Sequence, residues 1–267
     1  MCCLSTRNRL TLSANYYNSI SNDLLFNKPI SAIAGATQYK SNLSNAKIRN
    51  TGFDIQVDGR ILTGPVTWNV GANLSLNRNK VLSLPDSQSI VSIGERSAIS
   101  HITMVGKPIG SFYGLNSLGV ISEEEYQRIL VDKQHIGEEG YQLTGPAVWN
   151  YENVQPGDAK WKDVNNDGKI TDDDREILGD NYPDFTYGFS TNISYKGVSL
   201  SASFSGVQGA QVISFQNYYL LNMEGTCNQF ALAADRYNSV TNPDPAMYRA
   251  NIATSNKNTY GDSCYMV

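Results

Sequence analysis

The sequence predicts an all-β chain, a partial antiparallel transmembrane β-barrel with long extracellular loops carrying short helices. Three observations predict it. Apolar and polar residues alternate strictly over long runs, the polar members of those runs are small and neutral, and the links between runs are very unequal in length. Successive strand side chains point to opposite faces, so such alternation marks a sheet with one apolar and one polar side.

The first alternating stretches are weak ones, at Leu10, Leu12, Ala14 and Tyr16 and at Phe53, Ile55 and Val57. From Val66 the pattern is strict: Val66, Trp68, Val70, Ala72, Leu74 and Leu76 are separated by Thr67, Asn69, Gly71, Asn73, Ser75 and Asn77. Phe185, Tyr187, Phe189, Thr191, Ile193 and Tyr195 form the next row, against Thr186, Gly188, Ser190, Asn192 and Ser194. After a Lys196-Gly197 turn, Val198, Leu200, Ala202 and Phe204 alternate with four serines, Ser199, Ser201, Ser203 and Ser205.

The runs Val66–Leu76 and Phe185–Tyr195 match the ~9–11 residues that cross a bilayer at a tilt, against about 5–6 in an ordinary globular strand. Their polar side carries no Lys or Glu, as a solvated outer face would; it suits the inside of a wide barrel. Tyr16, Tyr17, Phe185 and Tyr195 fall near strand ends, where interfacial girdles sit. Alternation alone fits equally well a secreted soluble β-sandwich, a carbohydrate-binding module with exposed Tyr and Trp and a structural calcium loop. Run length and neutrality favour the barrel.

Short links at Leu62-Thr63-Gly64-Pro65 and Lys196-Gly197 contrast with the long irregular stretch between Leu76 and Phe185. Outer-membrane barrels have short turns on one side and long loops on the other. The expected organisation is barrel strands and turns over residues 1–105, a long extracellular excursion over 106–180, a barrel hairpin over 181–215, and a loop region over 216–267 leading to further strands.

Composition narrows the function classes. Charged residues make up 17% and hydrophobic ones 40% of the 267 residues, below the roughly 25% and 45–50% of soluble domains. A net charge of −4 disfavours nucleic-acid binding, which needs clustered Lys and Arg against phosphate. No run approaches the ~20 apolar residues of a membrane helix. Met1-Cys2-Cys3-Leu4 runs straight into polar Ser5-Thr6-Arg7-Asn8-Arg9, without the apolar core of a signal peptide, so the chain reads as cytosolic or as a piece of something longer. Cys2, Cys3, Cys227 and Cys264 have no CxxC spacing, and His101 and His135 lie in no metal-ligand spacing. With no nucleophile elbow, P-loop or GxGxxG either, the chain is not expected to be an enzyme.

Two motifs lie in the long excursion. Ser122-Glu123-Glu124-Glu125 has the spacing of a capping box, expected to open a short helix through Tyr126, Ile129 and Leu130. The segment from Asp163 to Asp174 reads as a twelve-residue calcium loop. Calcium takes several hard oxygens, supplied by loop positions 1, 3, 5, 7, 9 and 12. Here these are Asp163, Asn165, Asp167, the Lys169 carbonyl, Thr171 (directly or through water) and Asp174, with Gly168 at the sharp turn and Ile170 placed to pin the loop to a core. Asp replaces Glu at position twelve, as in dockerin-type loops, and the alternative is an acidic turn without an ion. Any bound calcium is expected to be structural.

A series of motifs runs through the chain in a fixed order. It comprises Gly157-Asp158-Ala159-Lys160-Trp161-Lys162 into the Asp163–Ile170 loop, Asp172-Asp173-Asp174-Arg175, and Gly179-Asp180-Asn181-Tyr182-Pro183-Asp184 into Phe185-Thr186-Tyr187-Gly188-Phe189. Ser194-Tyr195-Lys196-Gly197 and Phe204-Ser205-Gly206-Val207-Gln208-Gly209 continue it, and Asn50–Asp54, Asn77–Val81 and Gly106–Gly114 precede it. This order of motifs resembles the SusC/RagA family of TonB-linked outer-membrane transporters. The resemblance implies a segment from the C-terminal part of the barrel, located in the outer membrane in contact with lipid. It further implies uptake of glycan or peptide nutrients, energy from the TonB system acting through a plug region not seen in this sequence, and a SusD-like surface lipoprotein as partner. Such a segment is expected to be incomplete and not transport-competent alone, because open strand edges cannot be satisfied in lipid.

Overall fold

The computed structural model describes residues 2–6, 9–29, 38–85, 89–93, 100–138, 140–221, 223, 228–243 and 247–250. Its strands are β1 (Cys2–Thr6), β2 (Leu10–Pro29), β3 (Gln38–Thr63), β4 (Val66–Ser83), β5 (Ile90–Ile93), β6 (Ser100–Thr103), β7 (Ser111–Gly114) and β8 (Ser117–Val120). Helix α1 (Glu123–His135) follows, then β9 (Ala159–Trp161), β10 (Glu176–Gly179), β11 (Phe185–Tyr195), β12 (Val198–Gln208) and helix α2 (Phe215–Leu220). They fall into two compact units, one of residues 1–90, 103–110 and 180–211, the other of 91–102, 111–179 and 212–267.

The first unit is a six-stranded antiparallel sheet in the order β1-β2-β3-β4-β11-β12. Its hairpins are the expected ones: Gly64-Pro65 separate β3 from β4, and Lys196-Gly197, both at positive φ, join β11 to β12. The register between β11 and β12 is unbroken from Phe185↔Gln208 to Tyr195↔Val198. The weak alternations expand into long strands, 20 residues in β2 and 26 in β3, and β4 continues past Leu76 to Ser83. The extension has a local cause. Pairing of β11 with β4 stops at Thr186↔Ser75, and beyond it the freed β4 edge bonds to the 103–110 segment. Val81 N donates to the Lys107 carbonyl and Gly106 N to the Val81 carbonyl, each at 2.9 Å. Asn79 accepts from Ile109 N at 2.9 Å and donates to Asn50 at 2.7 Å. Ala46, Ile48, Val81 and Leu84 form a small core there, with Leu24, Ile90 and Ile109 packed against it.

The second unit fills most of the stretch expected to be irregular. It contains a four-stranded sheet in the order β10-β7-β6-β5 and the antiparallel pair β8-β9. Helix α1 starts at the predicted capping box: Ser122 Oγ accepts from Glu125 N at 3.2 Å, and Glu125 Oε2 accepts from Ser122 N at 3.0 Å. Ile129 is buried with Ile121, Val148 and Val154, and Tyr126 packs against them, whereas Leu130 stays exposed. A larger core gathers Leu115, Trp161, Ile170, Met223, Ala233 and Tyr248.

Asp132, near the end of α1, is fully buried. Its carboxylate accepts from Gly145 N at 2.7 Å, Thr144 N at 3.0 Å, Thr144 Oγ1 at 2.8 Å and the Tyr141 hydroxyl at 2.8 Å. Burial opposes the charge, but the Gly145 and Thr144 N–H groups and the two hydroxyls outweigh it and hold the pKa below the ordinary Asp value. Asp132→Ala removes the acceptor that these donors share and that fixes the 141–145 turn, so a loss of about 1–3 kcal/mol is expected in chemical denaturation. Because the folded-state pKa is depressed, the carboxylate's contribution is complete above the ordinary Asp value of 3.8 and declines as pH falls through the lower native value. Thermal melts from pH 7 down to pH 2 should therefore converge for the wild type and Asp132→Asn at the acid end.

Candidate functional site

Two features carry the chemistry, one in each unit. In the six-stranded sheet, register turns sequence alternation into continuous two-dimensional faces. Leu12 lies opposite Val57, Val57 opposite Ala72, Ala72 opposite Phe189 and Phe189 opposite Phe204. Trp68, Ile193 and Leu200 make a parallel row. No second layer of described residues covers this face: Phe189 is 44% exposed, Phe204 64%, Leu200 70% and Val198 74%. A soluble sandwich would bury these side chains, and the exposed row argues against it.

Polar groups on this face pair internally. Trp68 Nε1 donates to Thr191 Oγ1 at 2.9 Å, so the one aliphatic hydroxyl in the β11 row meets the indole N–H. Aromatic residues mark both ends, Tyr195 at the turn end and Tyr16, Phe53 and Phe185 at the other. Ten residue steps of about 3.3 Å separate Tyr195 from Phe185, which at a tilt of about 40° corresponds to a height of about 25 Å, the height of an outer-membrane apolar band. Tyr17 departs from the expected girdle. It lies on the opposite face, its phenol over Gly52, where an added Cβ would stand 2.1 Å from the ring. On the apolar face Tyr187 covers Gly206 in the same way. A large ring laid over a cross-strand glycine restores the packing that the glycine lacks.

The opposite face is hydrophilic along Thr67–Ser75, Ser190–Ser194 and Ser199–Ser205, and turns apolar only beyond, at Val207 and at the Ile48–Val81 pair. Asn192 Nδ2 donates to Ser201 Oγ at 2.6 Å, Ser194 and Ser199 hydroxyls lie 2.8 Å apart, and Ser75 donates to Asp54. An open groove of about 490 Å³ runs along it, lined among others by Arg9, Asp58, Arg60, Asn69, Asn192 and Ser201.

The second feature is the acidic loop. Asp163 accepts from Asn166 N at 2.6 Å and Gly168 N at 2.9 Å, curling the chain back on its first carboxylate. Asn165 Oδ1 accepts from Asp167 N at 3.0 Å, and Asp167 Oδ1 from Lys169 N at 2.8 Å. Asp174, fully buried, closes the loop by accepting from Val164 N at 2.9 Å and Thr171 N at 2.7 Å. Gly168 has φ +81°, Ile170 is buried in the larger core as expected, and the Tyr151 hydroxyl donates to the Gly168 carbonyl at 2.8 Å. Burial, and then the negative charges of Asp132 and Asp163, push the Tyr151 phenol up to about 12.

The structure thus brings Asp163, Asn165, Asp167, Thr171 and Asp174 into one hydrogen-bonded loop with oxygen donors of the hard type calcium takes. Their carboxylates are turned onto loop N–H groups. Among the described residues no group of three or more His, Cys, Asp and Glu side chains gathers as a metal cluster. Each carboxylate oxygen has more than one lone-pair direction, so the donor set fits a calcium ion chemically.

No family model matches the chain. TonB-dependent receptor P3 of Formosa agariphila is 29% identical over 230 residues, covering 84% of this chain and 21% of the receptor. Receptor P26 of the same organism is 31% identical over 248 residues, covering 91% of this chain and 23% of the receptor. The chain is homologous to part of the TonB-dependent receptors. In structure it is similar to the RagAB peptide transporter, with a TM-score of 0.69 at 19% identity over 97% of this chain and 25% of that one. The RagAB peptide importer in its closed-closed state gives 0.68 over 99% and 26%. The chain therefore spans about a fifth to a quarter of the length of the proteins it matches. Its six-stranded sheet is a stretch of outer-membrane β-barrel wall, and the uncovered apolar row is the face that such a wall turns to lipid.

Sequence reasoning had no access to Asp132, whose partners lie on a separate loop with no periodic signal, or to the buried pair of Asp158 with Arg249. Gly168 was legible. Its positive φ strains any residue with a Cβ, and the Leu143 Cδ1, 2.7 Å from an added Cβ, would have to shift. Gly168→Ala is expected to cost about 1–3 kcal/mol in urea denaturation.

Proposed function

We propose that the chain is a wall-and-loop segment of a SusC/RagA-type, TonB-linked outer-membrane transporter that takes up glycan or peptide nutrients. The carrying observation is the uncovered apolar row across the antiparallel sheet, backed by a hydrophilic face of Ser, Asn and Thr. In this reading the hydrophilic side lines the lumen, short turns lie toward the periplasm and the long excursion faces outside. A SusD-like surface lipoprotein and the TonB system, acting through a plug region, are the partners. The reading draws on the likeness to receptors and to a peptide transporter that are themselves longer than this chain.

The acidic loop has a structural role in this proposal. Asp163, Asn165, Asp167, Thr171, Asp174 and the Lys169 carbonyl would hold a calcium ion, whose charge would offset the clustered carboxylates. The chain's own residues already supply the curl, the closure at Asp174 and the anchor at Ile170.

Adjacent residues on β12 test the wall. Phe204→Arg puts a charge on the lipid side and is expected to cost about 2–4 kcal/mol in unfolding of the vesicle-reconstituted protein, whereas Ser203→Arg on the hydrophilic side should cost under ~1 kcal/mol. Equal effects would overturn the assignment of faces. For the loop, calorimetric calcium binding should vanish in the double variant Asp163→Ala/Asp167→Ala; unchanged binding would show the ion to be elsewhere.

A further inference from the structure

At the end of the six-stranded sheet away from its short turns, the face that carries the apolar rows changes character. Tyr16, Phe53 and Leu76 lie side by side across β2, β3 and β4 at the girdle. One two-residue step further come Asn18, Thr51 and Arg78, and one more step brings Ile20, Arg49 and Lys80. Two-residue steps keep a side chain on one face. Exposure confirms the phase: Lys47, Arg49, Arg78 and Lys80 are exposed, whereas Ile48 and Val81, one residue out of step, are buried on the other side.

The position of these cations matches a membrane surface. From Leu76 to Lys80 is about 13 Å along the strand and about 10 Å in height at a tilt of about 40°. The headgroup layer beyond the hydrocarbon is roughly 5–8 Å deep, within reach of the long Arg and Lys stems. Below them the exposed rings of Tyr16 and Phe53 continue into the apolar row.

The charge of the patch is left uncompensated within the sheet. Arg78 is engaged, with Nη2 2.9 Å from Asp184. Lys47, Arg49 and Lys80 form no ion pair among the described residues, and neither does Asp23 at the bulge of β2. Arg49 stands directly opposite Lys80. Like charges directly opposite each other destabilise a sheet, so this pair points to an anion shared between the two strands. Phosphate suits the place. A guanidinium holds two of its oxygens at once, and an ammonium adds a point charge beside it. Thr51 Oγ1 donates to Asn18 Oδ1 at 3.3 Å, so the row between girdle and cations is neutral and brings no competing carboxylate.

We propose that Arg49 and Lys80, flanked by Lys47 and Arg78, bind the phosphate headgroup of an anionic lipid whose acyl chains lie on the girdle and the apolar row below. The site rests on the reading of this face as the lipid side. With the short turns toward the periplasm it lies in the outer leaflet, and a phosphorylated lipid of that leaflet is its occupant. The bound phosphate ties β3 to β4 across the like-charge pair.

The test is titration of the detergent-solubilised protein that contains this chain with phosphatidic acid in mixed micelles, with phosphatidylcholine and inorganic phosphate as comparisons. Phosphatidic acid should bind saturably and about tenfold or more tightly than phosphatidylcholine, and equimolar inorganic phosphate should not displace it. The double variant Arg49→Gln/Lys80→Gln should weaken phosphatidic acid by about tenfold or more and leave phosphatidylcholine unmoved. In phosphatidylcholine its melting temperature should be unchanged or raised, because the like-charge pair is gone. Lys80→Gln alone should weaken phosphatidic acid severalfold, and decides the matter if the double variant fails to fold. Arg60→Gln, which removes a cation from the hydrophilic side, should stay within about twofold of wild type. Equal affinity for the two lipids, displacement by inorganic phosphate, affinity unmoved by both variants, or an equal loss in Arg60→Gln would overturn the proposal. Such a failure with the Phe204→Arg and Ser203→Arg contrast intact removes the headgroup site alone; loss of that contrast removes the lipid side and the site with it.

Discussion

Lateral pairing of the backbone is the constraint on which the first unit depends. A face turned to hydrocarbon meets no water, so every N–H and C=O of the spanning strands must find its partner within the sheet. The unbroken register of β11 with β12, and of β11 with β4 to Thr186↔Ser75, meets that demand on both sides of β11, while the outer edges of β1 and β12 pair with no described strand. Where β11 stops pairing, the 103–110 segment takes over the β4 edge, and Val81 is bonded on that side by Lys107 and Gly106. Continuity of hydrogen bonding thus sets where the strands end and what covers them.

The same register assigns the side chains. A shift of one residue would exchange the Phe189–Phe204 row for the Ser190–Ser203 row, placing hydroxyls in hydrocarbon. The apolar face therefore locks the pairing even without a core behind it. Tyr17 over Gly52 and Tyr187 over Gly206 add local locks, because each ring fits only opposite a residue without a Cβ.

The second unit is held by different physics. Its cores are small, and buried charges fix its loops: Asp132 gathers the 141–145 turn, Asp174 closes the acidic loop, and Asp158 holds Arg249. Such groups are costly to bury unless fully paired, so each demands one loop conformation. Removing one partner exposes that cost, while the paired state adds definition more than net stability. The acidic loop inherits its order from these pairs.

Strand existence, the two hairpin turns, the capping box of α1 and the turn at Gly168 were readable from the sequence, because period-two alternation, glycine at positive φ and the Ser-x-x-Glu spacing are local chemistry expressed within a few residues. The true lengths of β2 and β3, the small sheets inside the long excursion and the placement of Tyr17 were not. They depend on which strand lies alongside and where its pairing stops. Likewise Asp132 and Asp158 join residues far apart in the chain, and only the folded arrangement brings a carboxylate to donors that no spacing rule connects.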